Sequence, residues 1–177
     1  MSPQAIAFIA MLKSFAKHQK SSNQPMRKTS NSIGSLGENL VAQWLQQQGC
    51  EILAQRWKCQ WGELDIVAYS QPTAQLIFVE VKTRSPHSWD SGGLFAITPQ
   101  KQAKVGQAAS LFMADHPHFA TVACRFDVAL VSCQQMPDQK LPHPDETQFN
   151  FLVKRGEPVL IKNFKLTLVE YIESAFC

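Results

Sequence analysis

No two of the five cysteines (Cys50, Cys59, Cys124, Cys133 and Cys177) stand at Cys-x-x-Cys spacing, and their number is odd. That argues against both a disulfide framework and a zinc knuckle, and a reducing cytoplasm is the compartment that fits. Long apolar runs are scarce as well. The run "AIAFIAML" (Ala5 to Leu12) is too short to span a bilayer. It has no cation ahead of it and no convincing small-x-small cleavage site behind it, so it reads as a short surface or interfacial helix, or as a tail ahead of the true start, rather than a secretion signal. Internal repeats are absent. Acids are missing from Met1 to Gly37, where five cations stand (Lys13, Lys17, Lys20, Arg27, Lys28). The net charge of +3 is therefore concentrated in a basic leader, and it is too mild by itself to argue for a polyanionic partner.

What is present is enough for one good core: 177 residues, 45% of them apolar. The polar segment "HQKSSNQPMRKTSNS" (His18 to Ser32) reads as a linker, which divides the chain into a basic flexible leader, residues 1–32, and a folded domain, residues 33–177. From Ile33 to Gln48, Leu36, Leu40, Val41, Trp44 and Leu45 recur at three- and four-residue intervals and Gly49 follows, so this is an amphipathic helix. Three strands come next, "EILAQRW", "ELDIVAY" and "LIFVEVK", as an antiparallel meander. Thr98 as N-cap and Pro99 at the first helical position open a second helix from about Pro99 to Ala114. "TVACRFDVALV" (Thr121 to Val131) is a buried strand, and Gln134 to Thr147 is a loop. Short edge strands are expected around Phe149 to Lys154 and Pro158 to Ile161, and "KLTLVEYIESAF" is expected to close the chain as a helix. The order α-β-β-β-α-β with a small C-terminal elaboration gives an α/β fold, a mixed β-sheet flanked by helices.

Three charged residues sit inside these strands: Asp65, Glu80 and Lys82. Alternation puts Leu76, Phe78, Glu80 and Lys82 on one face of their strand, and Glu63, Asp65, Val67 and Tyr69 on one face of theirs. If the hairpin closes with Ser70 opposite Gln75, Asp65 lies directly opposite Glu80, with β-carbons about 5 Å apart. Two carboxylates that close repel, and the spacing asks for a cation. Oxygen ligands favour Mg²⁺ or Mn²⁺, which would keep several waters because the protein supplies few ligands. An ordinary cross-strand ion pair of Glu80 and Lys82, with Asp65 merely marking a strand start, reads the same spacing equally well. Glu38, at the flank of the first helix's buried stripe, reads first as a solvated edge carboxylate.

Read in order, Glu38, "GELD" (Gly62 to Asp65) and "VEVKTRS" (Val79 to Ser85) resemble the PD-(D/E)xK nuclease superfamily, with Glu80-Val81-Lys82 as the ExK element. More narrowly, "GSLGENLVAQWLQQQG", "ILAQRW", "GELDIVA", "FVEVKTR", "AITPQKQ", "CRFDVAL" and "EYIESAF" are similar to the YraN-like family of bacterial proteins, predicted endonucleases related to archaeal Holliday-junction resolvases. The resemblance covers about Gly34 to Val131 plus the C-terminus. It implies a restriction-endonuclease-like core and metal-dependent hydrolysis of DNA phosphodiesters, in branched or flapped DNA of repair or recombination. It further implies that Asp65, Glu80 and the Val81 carbonyl hold Mg²⁺ or Mn²⁺. Lys82 would orient water or offset charge on the phosphate, and Glu38 would act through a water or as a further ligand. Arg84 and Lys101 are candidate phosphate contacts, though each reads as well as a solvated surface cation; Arg84, two residues beyond Lys82, suits a strand-end contact. DNA is the implied partner, with no membrane and a homodimer admissible.

Weaker candidates are "HPH" (His116 to His118), read as a loop rather than a metal site, and Asp127, read as a structural partner of Arg125. Trp61 and Trp89 flank the expected cleft and could stack bases. Two other classes compete with the nuclease: a nucleic-acid-binding module of the same fold with little chemistry, and a protein-interaction domain in which the charged cluster is structural.

Overall fold

The computed structural model describes residues 33–86, 97–137 and 151–176. Helix α1 (Ile33–Gln47) buries Leu36, Leu40, Val41 and Leu45, and Gly49 at φ 80° ends it in the left-handed conformation that favours glycine. Strands β1 (Cys50–Cys59), β2 (Gly62–Ser70) and β3 (Gln75–Arg84) form the expected antiparallel meander. Helix α2 (Pro99–Asp115) is capped by Thr98, whose side chain accepts from the Lys101 amide, with Pro99 in the first turn. The chain then passes a 3₁₀ turn at Pro117–Phe119 and enters β4 (Cys124–Gln135) parallel to β3, as a crossover connection through a helix allows. Strands β5 (Pro158–Ile161) and β6 (Phe164–Phe176) complete a six-stranded mixed sheet of order β1-β2-β3-β4-β6-β5. This is an α/β architecture consistent with a restriction-endonuclease-like core.

Each helix owns one face. Ile77 and Val79 of β3 and Ile66 and Ala68 of β2 join α1 in the main core cluster. Phe78, on the opposite face of β3, meets Phe112 of α2 edge to face at 6.1 Å. Glu80 and Lys82 follow Phe78 by alternation, so they lie on the α2 side of the sheet.

Three expectations need correction. The terminal segment "KLTLVEYIESAF" is not a helix but belongs to β6, which pairs with β4 along most of its length. The segment 151–154 is irregular rather than an edge strand; Gln47 holds it from α1, donating to the Phe151 carbonyl at 2.9 Å and accepting from the Val153 amide at 3.0 Å. Gln134 and Gln135 extend β4 instead of starting the loop, because β6 supplies partners at Lys165 and Phe164. Phe149, Asn150, residues 138–147 of the expected loop and Trp89 lie outside the described residues. Among the described residues, no helix is long and apolar enough to cross a membrane.

Candidate functional site

The β2–β3 ladder runs from Ser70 opposite Gln75 to Ile66 opposite Val79, so the next position sets Asp65 against Glu80. There the two strands part company. Strand β2 goes on pairing with β1 as far as Gly62, and β3 goes on pairing with β4 as far as Arg84. The Leu76 amide bonds to Ala123 on the β4 side, so the amides of Ile77, Val79 and Val81 point towards β2. Val81 would be left without a partner at the fork, but Asp65 Oδ2 accepts its N–H at 2.8 Å. Asp65 thus closes the end of the ladder while its other oxygen stays in the fork. The Val81 carbonyl, pointing the same way as its amide, faces the fork too.

Glu80 is 4% exposed, and two ammonium groups converge on its Oε1: Lys82 Nζ at 2.6 Å and Lys101 Nζ at 3.1 Å. Lys82 is the neighbour by strand alternation; Lys101 arrives from the first turn of α2. Asp65 is the strained partner. Its pKa rises from an ordinary 3.8 to about 6, chiefly through burial and then through the Glu80 charge, against the opposing pull of the Val81 amide. Glu38 and Lys101 act on it more weakly, in opposite directions.

Glu38 comes from α1, across the sheet. The Gly37 backbone sits so close to β3 that a β-carbon there would lie 2.0 Å from Thr83 Oγ1. This approach lets the first turns of α1 settle beside the fork. The Glu38 side chain is 13% exposed rather than solvated, and burial raises its pKa, with Arg56 opposing and Glu63 and Glu80 adding to the rise. Its carboxylate therefore belongs to the same electrostatic cluster as Asp65 and Glu80.

Arg56 is a residue that sequence reasoning missed. It lies across from Asp65 between two paired positions of β1 and holds φ 53°, unusual for a side chain of this size. Its Nε donates to Glu63 Oε1 at 2.8 Å and stands 3.7 Å from Glu38 Oε2. The available signal was a lone cation in "QRW" opposite "GELD"; the backbone conformation that turns it toward two acids leaves no trace in the residue pattern.

These residues fit a hard divalent cation in their donor chemistry. All donors are oxygens, and the burial that chiefly raises Asp65, together with the Glu80 charge that adds to it, is the kind of penalty a bound cation relieves. Among the described residues no group of three or more His, Cys, Asp or Glu side chains is placed to hold a metal. A cation there would take Asp65 and Glu80 as side-chain ligands and complete its shell with the Val81 carbonyl, water and substrate.

The remaining candidates fall elsewhere. Arg84 is exposed at the end of β3, on the Lys82 face. His116 donates from Nδ1 to the Phe112 carbonyl at 2.7 Å and stacks on the Phe112 ring, which makes it a terminator of α2. Asp127 is 0% exposed and accepts from the Tyr171 hydroxyl at 2.7 Å, the Ser174 amide at 2.9 Å and Arg125 at 3.1 Å. That network fastens β6 to β4 and is structural. Trp61 is exposed in the β1–β2 turn, at the end of the sheet where the fork opens.

The profile of the family described as "Uncharacterised protein family UPF0102" matches residues 37–131, more than half the chain. The chain belongs to the UPF0102 family. Among UPF0102 proteins, one from Acaryochloris marina is 43% identical over 164 residues, covering 86% of this chain and 95% of its own length. A UPF0102 protein of a Synechocystis species is 39% identical over 149 residues, 81% of this chain and 97% of its own, and one from a Synechococcus strain is 54% identical over 107 residues, 60% of this chain and 79% of its own. The UPF0102 match begins at Gly37, at the contact with Thr83, and takes in Glu38, Asp65, Glu80, Lys82, Arg84 and Lys101.

Proposed function

We propose that this chain is a metal-dependent endonuclease that hydrolyses DNA phosphodiesters, with branched or flapped DNA as its substrate. One observation carries the reading: two carboxylates oppose each other where β2 and β3 part, under two lysines. A structural ion pair accounts for Glu80 with Lys82. It does not account for Asp65 being held against Glu80 at a raised pKa, with a second ammonium drawn in from α2.

Asp65, through the oxygen that Val81 does not use, and Glu80 would hold Mg²⁺ or Mn²⁺ together with the Val81 carbonyl. The ion when bound supplies polarisation of the scissile phosphate and a more acidic water. Lys82 keeps a compact charge beside Glu80, suited to orient a water or to neutralise a phosphate oxygen as negative charge develops. Glu38, mostly buried at the fork, positions a water on the side opposite α2. Arg84 and Lys101 hold the backbone of the nucleic acid.

A second reading has its own support. Both ammonium groups sit on Glu80 Oε1, and no three-ligand group exists among the described residues. A nucleic-acid-binding module with little chemistry would keep such a neutralised carboxylate. A cleavage assay with Mg²⁺ and Mn²⁺ across single-stranded, flapped, forked and four-way DNA decides between them. Metal-dependent cutting that disappears in Glu80→Gln supports the nuclease; binding without cutting supports the module.

A further inference from the structure

Among the described residues, the two helices leave part of the α2-side face uncovered, and sheet register shows what lies there. Arg84 pairs with Ser132 of β4, and Ser132 with Thr167 of β6. One row further out, Gln134 pairs with Lys165, and Lys165 with Leu160 of β5. The opposite faces of these strands supply Cys133, Leu166 and Ile161 to the α1 core, so Gln134, Lys165 and Leu160 project on the same side as Lys82 and Arg84. Gln134 and Leu160 are exposed, and Lys165 is half-buried. Lys162 stands exposed in the two-residue turn that joins β5 to β6, at φ 56°.

The same end of the sheet carries the fork. Strands β3 and β4 run toward it, β6 leaves from it, and β5 ends at it. The surface from Arg84 outward is therefore a mostly polar shelf with cations at Arg84 and Lys165, Lys162 in the turn at its margin and the exposed Leu160 beside them. Glu170, opposite Leu130, lies one row nearer the sheet's middle.

We infer that this shelf is a second nucleic-acid contact, which seats one arm of a DNA duplex on the far side of the fork through Lys162 and Lys165. The inference rests on the proposed nuclease reading for the position of the scissile phosphate. Two strand spacings separate β3 from β6, which carries Lys165, about 10 Å at the usual strand separation of about 4.8 Å, and Lys162 stands in the turn just beyond. At about 3.4 Å per base pair, the contacts fall roughly three base pairs from β3. The chemistry suits the backbone rather than base edges, since single ammonium groups on a flat face offer charge without bidentate geometry.

The test is fluorescence anisotropy of the full chain with a 20-base-pair duplex, without divalent metal, over a range of monovalent salt. The variant is Lys162→Asn with Lys165→Gln; asparagine tolerates the left-handed backbone at position 162. Loss of two phosphate contacts lowers the slope of log K against log salt by about 1.8. Affinity should fall about tenfold near physiological salt, with an unchanged thermal midpoint. The charge-retaining pair Lys162→Arg and Lys165→Arg should bind as the parent does. An unchanged slope in the neutral variant overturns the inference, as does a parent that fails to bind the duplex. Cleavage is scored separately. A shelf effect in a protein that never cuts DNA removes the nuclease reading alone, while cutting with no change in slope removes the shelf alone.

Discussion

Replacing Asp65 by asparagine should make the metal-free protein more stable above pH 6. The carboxylate is held in the fork at a pKa of about 6 against an ordinary 3.8, so its ionisation is harder in the folded chain than in the unfolded one. At about 1.4 kcal/mol per pH unit, the gap corresponds to about 3 kcal/mol if fully expressed, and nearer 1 kcal/mol after solvent screening at a partly open site. The sign follows from linkage. Below pH 3.8 the group is neutral in both states and contributes nothing. As pH rises from 3.8 to 6 the unfolded chain ionises first, and folding stability is lost until both states are charged. Asparagine keeps the oxygen that accepts from Val81 and carries no charge. Urea unfolding of parent and variant in chelator should give nearly equal stabilities at pH 4 and a variant advantage of about 1 to 3 kcal/mol at pH 8. Millimolar Mn²⁺ should narrow the gap by stabilising the parent alone. An advantage of the same size at both pH values would show that ionisation is not its cause, and no advantage at pH 8 would refute the penalty that burial and the Glu80 charge place on the Asp65 carboxylate.

Three further outcomes are expected. Glu80→Gln should lower both Mn²⁺ affinity by calorimetry and single-turnover cleavage while DNA binding persists or strengthens, whereas Lys82→Ala should hold or improve metal binding and slow cleavage by about 10²-fold. Gly37→Ala should destabilise by about 1 to 3 kcal/mol in a denaturant melt because its β-carbon collides with Thr83 Oγ1, and adding Thr83→Ala should recover most of that loss. Tyr171→Phe should cost about 1.5 to 3 kcal/mol by removing a buried hydrogen bond to Asp127, yet leave cleavage at the parent's rate, since this network only joins β4 to β6.

The hairpin was legible because its turn is short and its residues alternate cleanly. Ser70 and Gln75 fix the register, and a register fixes which side chains face each other. Helix α2 was legible from Thr98 and Pro99, which act locally at the backbone. Strand β6 was not. Its pairing with β4 shifts register twice, between Phe126 and Val128 and again between Leu130 and Val131. Each shift adds residues to the strand, so Leu168, Tyr171, Ile172 and Ala175 fall at the three- and four-residue spacings of an amphipathic helix. At the site, Asp65 and Glu80 could be placed from alternation. The approach of Glu38 depends on how closely α1 packs on Thr83, and the turn of Arg56 depends on a positive φ, neither of which a residue pattern encodes.

The two margins of the sheet are both unsuited to receiving another strand. Strand β1 has a register shift between Ile52 and Ala54 and a left-handed residue at Arg56 with Lys58 beyond it, so its outer row of amides and carbonyls is neither straight nor evenly spaced. Strand β5 is only four residues long and begins with a proline that has no N–H to offer. Edge-to-edge polymerisation, a standing hazard of an open sheet, is discouraged at each side by a different device. In crowded solutions the backbone of these outermost strands thus works against edge-to-edge pairing, independently of whatever the charged centre does.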